Sequence, residues 1–214
     1  MTAAAQLSDL ELAALISSKI CHDVIGPVGA IYNGLEVLDE DDDDDSRAYA
    51  LEQIRNFTEQ ASAKLQFARF AFGAAGSAGT LIDLREAANI SRGFVESGKH
   101  KLAWAVAPGQ MPKDQVKLLL NMLAGAMTAL PRGGQITVEV AADVGHPTFV
   151  VRCAGPRARP PQHLAEFIAG VQPEELGPLT IQPYYTCRLA EAAGMRLRLI
   201  QEGEDIIIVA SASG

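Results

Sequence analysis

The sequence predicts an α-helical hairpin that forms a dimeric four-helix bundle with a second copy of the chain, followed by an α+β sandwich. Apolar residues recur at helical spacing over residues 9–38 and again over residues 47–72, which predicts the two helices of the hairpin. A stretch rich in glycine and serine at residues 73–79 ends this pattern, and mixed strand and helix patterns follow it. We therefore place one domain at residues 1–75 and a second at residues 76–214.

The first predicted helix has an apolar stripe with steps of three or four residues. Ser8 or Asp9 is suited to cap its N-terminus, because either side chain can accept a hydrogen bond from a free backbone N–H group. Pro27 lies inside the pattern and predicts a bend, since proline removes one backbone hydrogen bond of the helix. The stripe consists of Ile16, Ile20, Val24, Val28, Ile31, Leu35 and Leu38.

The second predicted helix has a near-perfect heptad pattern. Two amphipathic helices bury little apolar surface by themselves, so we expect a second copy of the chain to supply the other two helices of a bundle. The acidic run at residues 39–45 lacks the glycine and the alternating ligands of a calcium loop, and we expect a solvated loop there because like charges repel. The heptad positions are Ile54, Thr58, Ala61, Leu65, Ala68 and Phe72.

The second domain is predicted from strand and helix patterns that alternate after residue 80. Antiparallel strand pairs mixed with helices favour one sheet with helices on one face. Strands are predicted at residues 80–84, 100–106, 135–142 and 148–154 and in a hairpin from Met195, and helices are predicted from residue 84 to about Ser97 and at 113–130, 160–169 and about 180–193.

Composition restricts the classes of partner and site. The formal net charge of −8 disfavours nucleic acid and anionic membranes, which attract clustered lysine and arginine. The three cysteines, Cys21, Cys153 and Cys187, are far apart and odd in number, so we expect neither a disulfide framework nor a metal site. The N-terminus lacks the pattern of a signal peptide, and no apolar run reaches the length of a membrane span. We expect a cytoplasmic protein.

A histidine and an aspartate lie side by side in KICHDVIGPVGA, residues 19–30. A neutral imidazole can attack a phosphoryl group, and a neighbouring carboxylate can fix the ring tautomer and take up the proton. A random His-Asp pair is more often a structural feature than a reactive one. His22 falls between the stripe positions Ile20 and Val24, however, so we expect it to point away from the bundle, with Asp23 beside it.

The residues around His22 resemble the phosphoacceptor box of two-component histidine kinases, in which an acidic residue follows the histidine and a proline comes five places after it. Three further stretches resemble, in the same order, the first nucleotide-binding box, the adenine-reading segment and the segment after the lid of the kinase ATP-binding domain. The resemblance covers nearly the whole chain and implies a bundle followed by a Bergerat-like fold. The three stretches are VKLLLNMLAGAMTALPRGGQITVEV, FVVRCAGPRARPP and CRLAEAAGMRLRL.

The positions that resemble the kinase nucleotide site depart from the kinase pattern. Asn121 is present, but Gly125 stands where kinases have a second, metal-binding asparagine. Cys153 stands in place of the aspartate that reads adenine, and a thiol is a poor acceptor for the adenine amine. Arg157 replaces a glycine, and Gly177 alone remains of the glycine-rich lid. We expect a degenerate site that does not bind ATP, formed by Asn121, Gly125, Cys153, Gly155, Arg157 and Gly177.

A retained acceptor histidine without an ATP site resembles the dimeric histidine phosphotransferases of bacterial cell-cycle phosphorelays. The resemblance implies that His22 accepts a phosphoryl group from the receiver domain of a hybrid histidine kinase and passes it to response regulators. It implies no cofactor held by this chain, because Mg²⁺ would come with the receiver domain. Two alternatives stay open: an active histidine kinase with a divergent ATP site, and a non-catalytic regulatory module that binds receiver domains.

The resemblance also implies that a receiver domain docks beside the first helix. Gly26 and Gly29 lie one and two turns beyond His22 and remove side chains that would block an incoming protein surface. Ile25 would be exposed beside them, which favours a surface that a partner covers. The expected docking residues are Ser18, Lys19, Ile25, Gly26 and Gly29.

Overall fold

Two long helices, α1 (Asp9–Glu40) and α2 (Asp44–Ala71), pack against each other as the predicted hairpin. Their ends differ from the predicted ends by at most three residues. Most of the predicted linker at residues 73–79, with the domain boundary inside it, lies outside the residues that the structure describes. The computed structural model describes residues 7–40, 43–73, 79–143, 146–171 and 176–212.

The N-termini of both helices are capped by side chains. The Ser8 Oγ accepts a hydrogen bond from the Glu11 backbone N–H, and the Glu11 carboxylate accepts one from the Ser8 backbone N–H at 2.9 Å. This reciprocal pair is a capping box and confirms Ser8 as the cap of α1. At α2, the Asp43 carboxylate accepts a hydrogen bond from the backbone N–H of Ser46 at 2.9 Å. Part of the acidic run therefore caps a helix, while residues 41–42 lie outside the described residues.

The second domain contains a five-stranded sheet in the order β2-β4-β5-β7-β6, in which β2 and β4 are parallel and the other neighbours are antiparallel. Every predicted strand and helix is present. The sequence analysis missed β3, which pairs with β1 in a separate two-stranded sheet. The elements are β1 (Leu81–Asp83), α3 (Leu84–Glu96), β2 (His100–Ala105), β3 (Gln110–Pro112), α4 (Lys113–Ala129), β4 (Gly134–Asp143), β5 (His146–Ala154), α5 (Gln162–Ile168), α6 (Ile181–Ala192), β6 (Met195–Glu202) and β7 (Asp205–Ala212).

Helix α4 lies at the centre of the core. Its apolar side chains are buried on nearly all sides, which explains why its sequence is apolar without a clear polar face. It contacts β4, β5 and β7, whose alternate residues, such as Val138, Val151 and Ile208, are buried against it. The helices therefore cover one face of the sheet, as the strand alternation predicted.

The C-terminal end of α2 belongs to the same core as the second domain. Phe67 and Phe70 are buried in the cluster that contains the α4 side chains. Phe67 stacks on Phe94 of α3, with ring centroids 3.8 Å apart and planes inclined by 12°. This packing fixes the base of the hairpin against α3 and α4.

Helix α1 is mostly exposed in the single chain. Pro27 is its one buried residue among the described positions, and the helix continues through it. By length and composition, α1 is apolar enough to cross a membrane, whereas the sequence analysis found no run of that kind. The exposed apolar residues Ile25, Val28, Tyr32 and Leu35 are three or four residues apart and so form one stripe on the helix surface. We name these four residues the open stripe of α1.

Replacing Asp43 by alanine should lower the free energy of unfolding by about 1 kcal/mol, because the backbone N–H of Ser46 loses its acceptor. Urea denaturation followed by circular dichroism measures this change. Asp44→Ala is the matched control, since Asp44 has the same charge in the first turn of α2 without being the cap residue. Equal losses for the two variants would show that charge at the helix start, and not the cap, is responsible.

Candidate functional site

His22 lies on the exposed side of α1, as its position between Ile20 and Val24 predicted. Its side chain is 57% exposed, and its Nδ1 atom lies 3.5 Å from Oδ1 of Asp23. That distance is at the long limit of a hydrogen bond, so the carboxylate orients the ring only weakly in the free protein. Nε2, the other ring nitrogen, has no described partner. The arrangement leaves Nε2 available to an incoming group.

Two lysines hold Asp23 in place. The Lys19 Nζ lies 2.5 Å from both carboxylate oxygens of Asp23, one helical turn away on α1. From α2, the Lys64 Nζ donates a hydrogen bond to the backbone carbonyl oxygen of Asp23 at 2.9 Å. Lys19 was predicted as a docking residue, but its side chain is only 18% exposed and is paired with Asp23. The Lys19 side chain therefore lies at the edge of the exposed helix face that carries His22.

Sequence analysis did not identify Lys64. The signal was present, because Lys64 follows Ala61 by three residues and precedes Ala68 by four, and both alanines are buried on that side of α2. A lysine at such a position must direct its ammonium group to a polar partner, since an unpaired buried charge is costly. Which group on α1 it reaches depends on the register of the two helices, and that register is not visible in the sequence.

The other predicted docking residues lie on one open face of α1. Ser18, Ile25, Gly26 and Gly29 are exposed, and the 71% exposure of the Ile25 side chain is high for an isoleucine. A Cβ atom added to either Gly26 or Gly29 would meet no atom within 4 Å. The backbone beside His22 is therefore accessible to a partner surface.

Asn121 is sealed inside the protein and is not accessible to a metal ion. Its Nδ2 donates hydrogen bonds to the carbonyl oxygens of Ala71 and Lys117, each at 2.9 Å. Gln182 of α6 donates its amide to the backbone oxygen of Asn121 at 2.8 Å and to its Oδ1 at 3.3 Å. The Asn121 side chain thus connects α4 to α2 and α6 in this chain.

Three further positions of the predicted degenerate site lie in the core, at a close backbone contact and in a turn. Cys153 is buried, and burial, with a smaller contribution from Asp205, raises the pKa of its thiol to about 12. A Cβ atom on Gly155 would lie 2.6 Å from the carbonyl oxygen of Gly133, so no side chain fits there. Arg157 has a left-handed backbone with φ of 60°, in a turn after β5.

Gly125 and Gly177 have different surroundings. A Cβ atom on Gly125 would meet Leu164 at 3.5 Å and Ile208 at 3.9 Å, which is ordinary van der Waals contact. Gly177 donates its backbone N–H to Thr180 Oγ1 at 2.8 Å in the turn before α6. Among the six predicted positions, all of them described, only Gly125 lines the large cavity between the hairpin and the second domain.

The described residues contain no group of three or more histidine, cysteine, aspartate or glutamate side chains that could hold a metal ion. Cys21 and His22, adjacent on α1, are both exposed. Cys187 is partly buried, and burial, followed by the Glu191 charge, raises the pKa of its thiol to about 12. The three thiols therefore differ sharply in environment.

Alkylation by iodoacetamide at mildly alkaline pH should add at most one label per native chain, at Cys21. Only the thiolate reacts, and the raised pKa values of Cys153 and Cys187 keep both groups protonated. Intact mass spectrometry counts the labels, and denaturant should increase the number to three. Cys21→Ser is the control and should leave the native protein unlabelled. A second label on the native chain would contradict the burial of the other two thiols.

Comparison with known proteins gives a consistent picture. Residues 84–205 match the family described as histidine phosphotransferase C-terminal domain. The chain is 45% identical over 205 residues to the protein phosphotransferase ChpT of Brucella abortus (strain 2308), covering 95% of this chain and 97% of that protein. A solved bacterial phosphotransferase matches with a TM-score of 0.89 and 42% identity over 96% of this chain and 98% of that chain.

Histidine kinases are more distant in structure. The histidine kinase AdeS of Acinetobacter baumannii matches with a TM-score of 0.46 and 11% identity, covering 90% of this chain and 97% of that chain. The helical hairpin and the α/β sheet domain together match the two phosphotransferases over almost their whole length.

Proposed function

The chain belongs to the histidine phosphotransferase family, and we propose that it carries phosphoryl groups on His22 in a bacterial phosphorelay. It accepts the group from the aspartate of a hybrid histidine kinase receiver domain and passes it to the aspartates of response regulators. The observation that carries this proposal is the exposed His22 beside Asp23, on a helix face where Gly26 and Gly29 leave the backbone open.

The geometry of the pair assigns separate roles to the two ring nitrogens. Asp23 accepts a hydrogen bond from Nδ1–H, and this tautomer leaves the lone pair on Nε2 of His22. Nε2 attacks the phosphorus of the receiver's aspartyl phosphate; the N–P bond forms as the P–O bond breaks, and the receiver's carboxylate leaves. The proton stays on Nδ1, where Asp23 stabilises the positively charged ring. The aspartate of a response regulator reverses these steps.

Lys19 and Lys64 act as positioning residues in this scheme. Lys19 binds both carboxylate oxygens of Asp23, and Lys64 binds its backbone oxygen, so the carboxylate is fixed from two helices. The carboxylate is thereby held beside the His22 ring, where it can orient the imidazole.

The proposal gives this chain no ATP-dependent kinase activity and no cofactor of its own. The sealed Asn121 and the buried Cys153 support this, since neither side chain can reach a nucleotide or a metal ion without a change in the core. Mg²⁺ is supplied by the receiver domain, both by that of the hybrid kinase that donates the phosphoryl group and by that of the response regulator that accepts it. The free cysteines suit a reducing compartment, and we place the relay in the cytoplasm.

We propose further that a second copy of the chain covers Val28, Tyr32 and Leu35 of the open stripe of α1 and forms the four-helix bundle, which leaves Ile25 beside His22 to the receiver domain. On α2, Leu51 and Leu65 are exposed and fourteen residues apart, so they lie on one face at whole heptad spacing. A stripe of this kind on both helices of a hairpin matches the seam of an antiparallel bundle. The covered stripe also explains why α1 has the composition of a membrane span while it carries charged groups at Lys19 and Asp23.

Leu65→Glu should convert the dimer into a monomer, because each copy would place a charge in the apolar seam. Analytical ultracentrifugation over a range of concentrations measures the change. Tyr49→Glu is the control, since Tyr49 is also an exposed apolar residue but lies about 200° around α2 from Leu51. A dimer that survives Leu65→Glu, or a wild-type chain that is monomeric at high concentration, would contradict the bundle.

The central experiment follows the origin of the label on His22. In one arm the protein is mixed with labelled ATP alone, and in the other with a receiver domain phosphorylated on its aspartate. We expect acid-labile label from the receiver only, abolished in His22→Ala and retained in the adjacent control Cys21→Ala. Each variant is checked for an unchanged circular dichroism spectrum.

The alternatives predict other outcomes of the same experiment. Label from ATP alone would establish an active kinase with a divergent nucleotide site. Receiver binding without any label would favour the non-catalytic regulatory module. Label that persists in His22→Ala would assign the phosphoryl group to a different residue.

A further inference from the structure

A cavity of about 810 Å³ lies between the hairpin and the second domain, on the inner side of the residues that flank His22. Helices α1 and α2 form one wall. The end of α3, the middle of α4 and residues 159–164 form the others. The volume falls within the range of about 300–1,000 Å³ that is typical of small-molecule sites.

The cavity has an excess of positive charge. Lys64 and Lys99 line it, and their ammonium groups donate to the backbone carbonyl oxygens of Asp23 and Pro131. Arg159 also lines it, and within the described part of the chain none of these three cations forms an ion pair. Among the described residues of the lining, Asp23 has the one carboxylate, and Lys19 pairs with it. Three cations facing one cavity in a chain of net charge −8 favour an anionic occupant.

A buried histidine in the lining lacks a partner for one ring nitrogen. The His100 side chain is 8% exposed, and its Nε2 lies 3.0 Å from the carbonyl oxygen of Leu130. A carbonyl oxygen only accepts, so Nε2 carries the proton in that contact and Nδ1 of the neutral ring is an acceptor. Nδ1 is buried without a hydrogen-bond partner among the described residues. The His100 ring lines the cavity, and a small rotation that turns Nδ1 toward it would let a ligand N–H or O–H group satisfy this acceptor.

The rest of the lining is largely apolar. Phe67 and Phe94, stacked on each other, line the cavity together with Ile20, Met127 and Leu164. Such a lining favours a ligand with a flat apolar ring system. Burial of the rings supplies affinity, and the few polar groups of the cavity fix the orientation of the ligand.

We propose that this cavity binds a small amphipathic anion, with an apolar ring system and an N–H or O–H donor. Its anionic group lies at Lys64 and Arg159, its donor at Nδ1 of His100, and its ring system between the aromatic and aliphatic side chains. The site is distinct from the degenerate nucleotide positions, of which only Gly125 contributes to the lining. The inference does not depend on phosphoryl transfer by His22.

The test uses two probes that differ in the anionic group. 8-Anilino-1-naphthalenesulfonate has fused rings, an N–H group and a sulfonate, and N-phenyl-1-naphthylamine is the same molecule without the sulfonate. Fluorescence titration of the full-length wild-type chain should give binding of the sulfonate at least about tenfold tighter than that of the neutral probe, as expected for a charge-assisted contact. Equal affinities would overturn the proposal.

Variants then locate the binding. Lys64→Met and Arg159→Met should each weaken sulfonate binding about tenfold, whereas Lys101→Met, an exposed lysine of β2 outside the cavity, should not change it. Thermal unfolding verifies that each variant is folded. Affinity that is unchanged in both cavity variants would place the probe elsewhere, such as on the open stripe of α1, and would overturn the proposal.

The role of His100 is tested in the wild-type protein, since its substitution would also remove the contact with Leu130. The ¹⁵N resonance of Nδ1 should move upfield when the sulfonate probe binds, as expected when an unprotonated ring nitrogen accepts a hydrogen bond. An unshifted Nδ1 resonance at saturating probe would overturn the assignment of His100 as the acceptor.

Discussion

The buried amide of Asn121 joins three helices, and the placement of the hairpin depends on it. Its Nδ2 binds the last turns of α2 through the Ala71 oxygen, and Gln182 of α6 binds its backbone and side-chain oxygens. A buried polar group left without its partner costs about 1–3 kcal/mol, so these bonds select one arrangement of α2, α4 and α6. The Phe67–Phe94 stack adds apolar contact at the same junction. The end of α2 is therefore continuous with the core of the second domain.

This fixed base has a consequence for His22. Lys64, two turns before the end of α2, holds the backbone of Asp23, so the position of α1 at His22 follows from the anchored part of α2. The imidazole itself is exposed and is restrained only by the long contact with Asp23. A positioned helix with an exposed ring suits the carrier role that we propose for His22, because the helix supplies the geometry and the ring can adapt to each partner.

Periodic patterns made most of the fold predictable. The helices of the hairpin and the strands of the sheet were found because their apolar spacing is long and regular, whereas β3 has three residues and no periodicity to detect. In the site, the exposure of His22 followed from its place between two stripe residues. Lys19 was assigned to docking, although its spacing of four residues from Asp23 is that of a helical ion pair.

Contacts between residues far apart along the chain could not be predicted from the sequence. Lys64 reaches Asp23 across 41 positions, and His100 reaches Leu130 across 30. Both contacts depend on how elements pack, and local propensity carries no information on that. His100 therefore looked like an isolated histidine without chemistry, and only its burial with a free Nδ1 gives it a role.

Two of the positions that resemble the kinase nucleotide site, Asn121 and Cys153, have structural roles in this chain. Cys153 packs in the core among apolar side chains, where an aspartate would be a buried charge without a partner. Asn121 is committed to the helix junction, whereas a Cβ atom at Gly125 would make only ordinary contact with Leu164 and Ile208. Asn121 and Cys153 thus have structural roles of their own, and neither can reach a ligand without a change in the core. A substitution at Asn121 would release the end of α2 and so, through Lys64, disturb the part of α1 that carries His22.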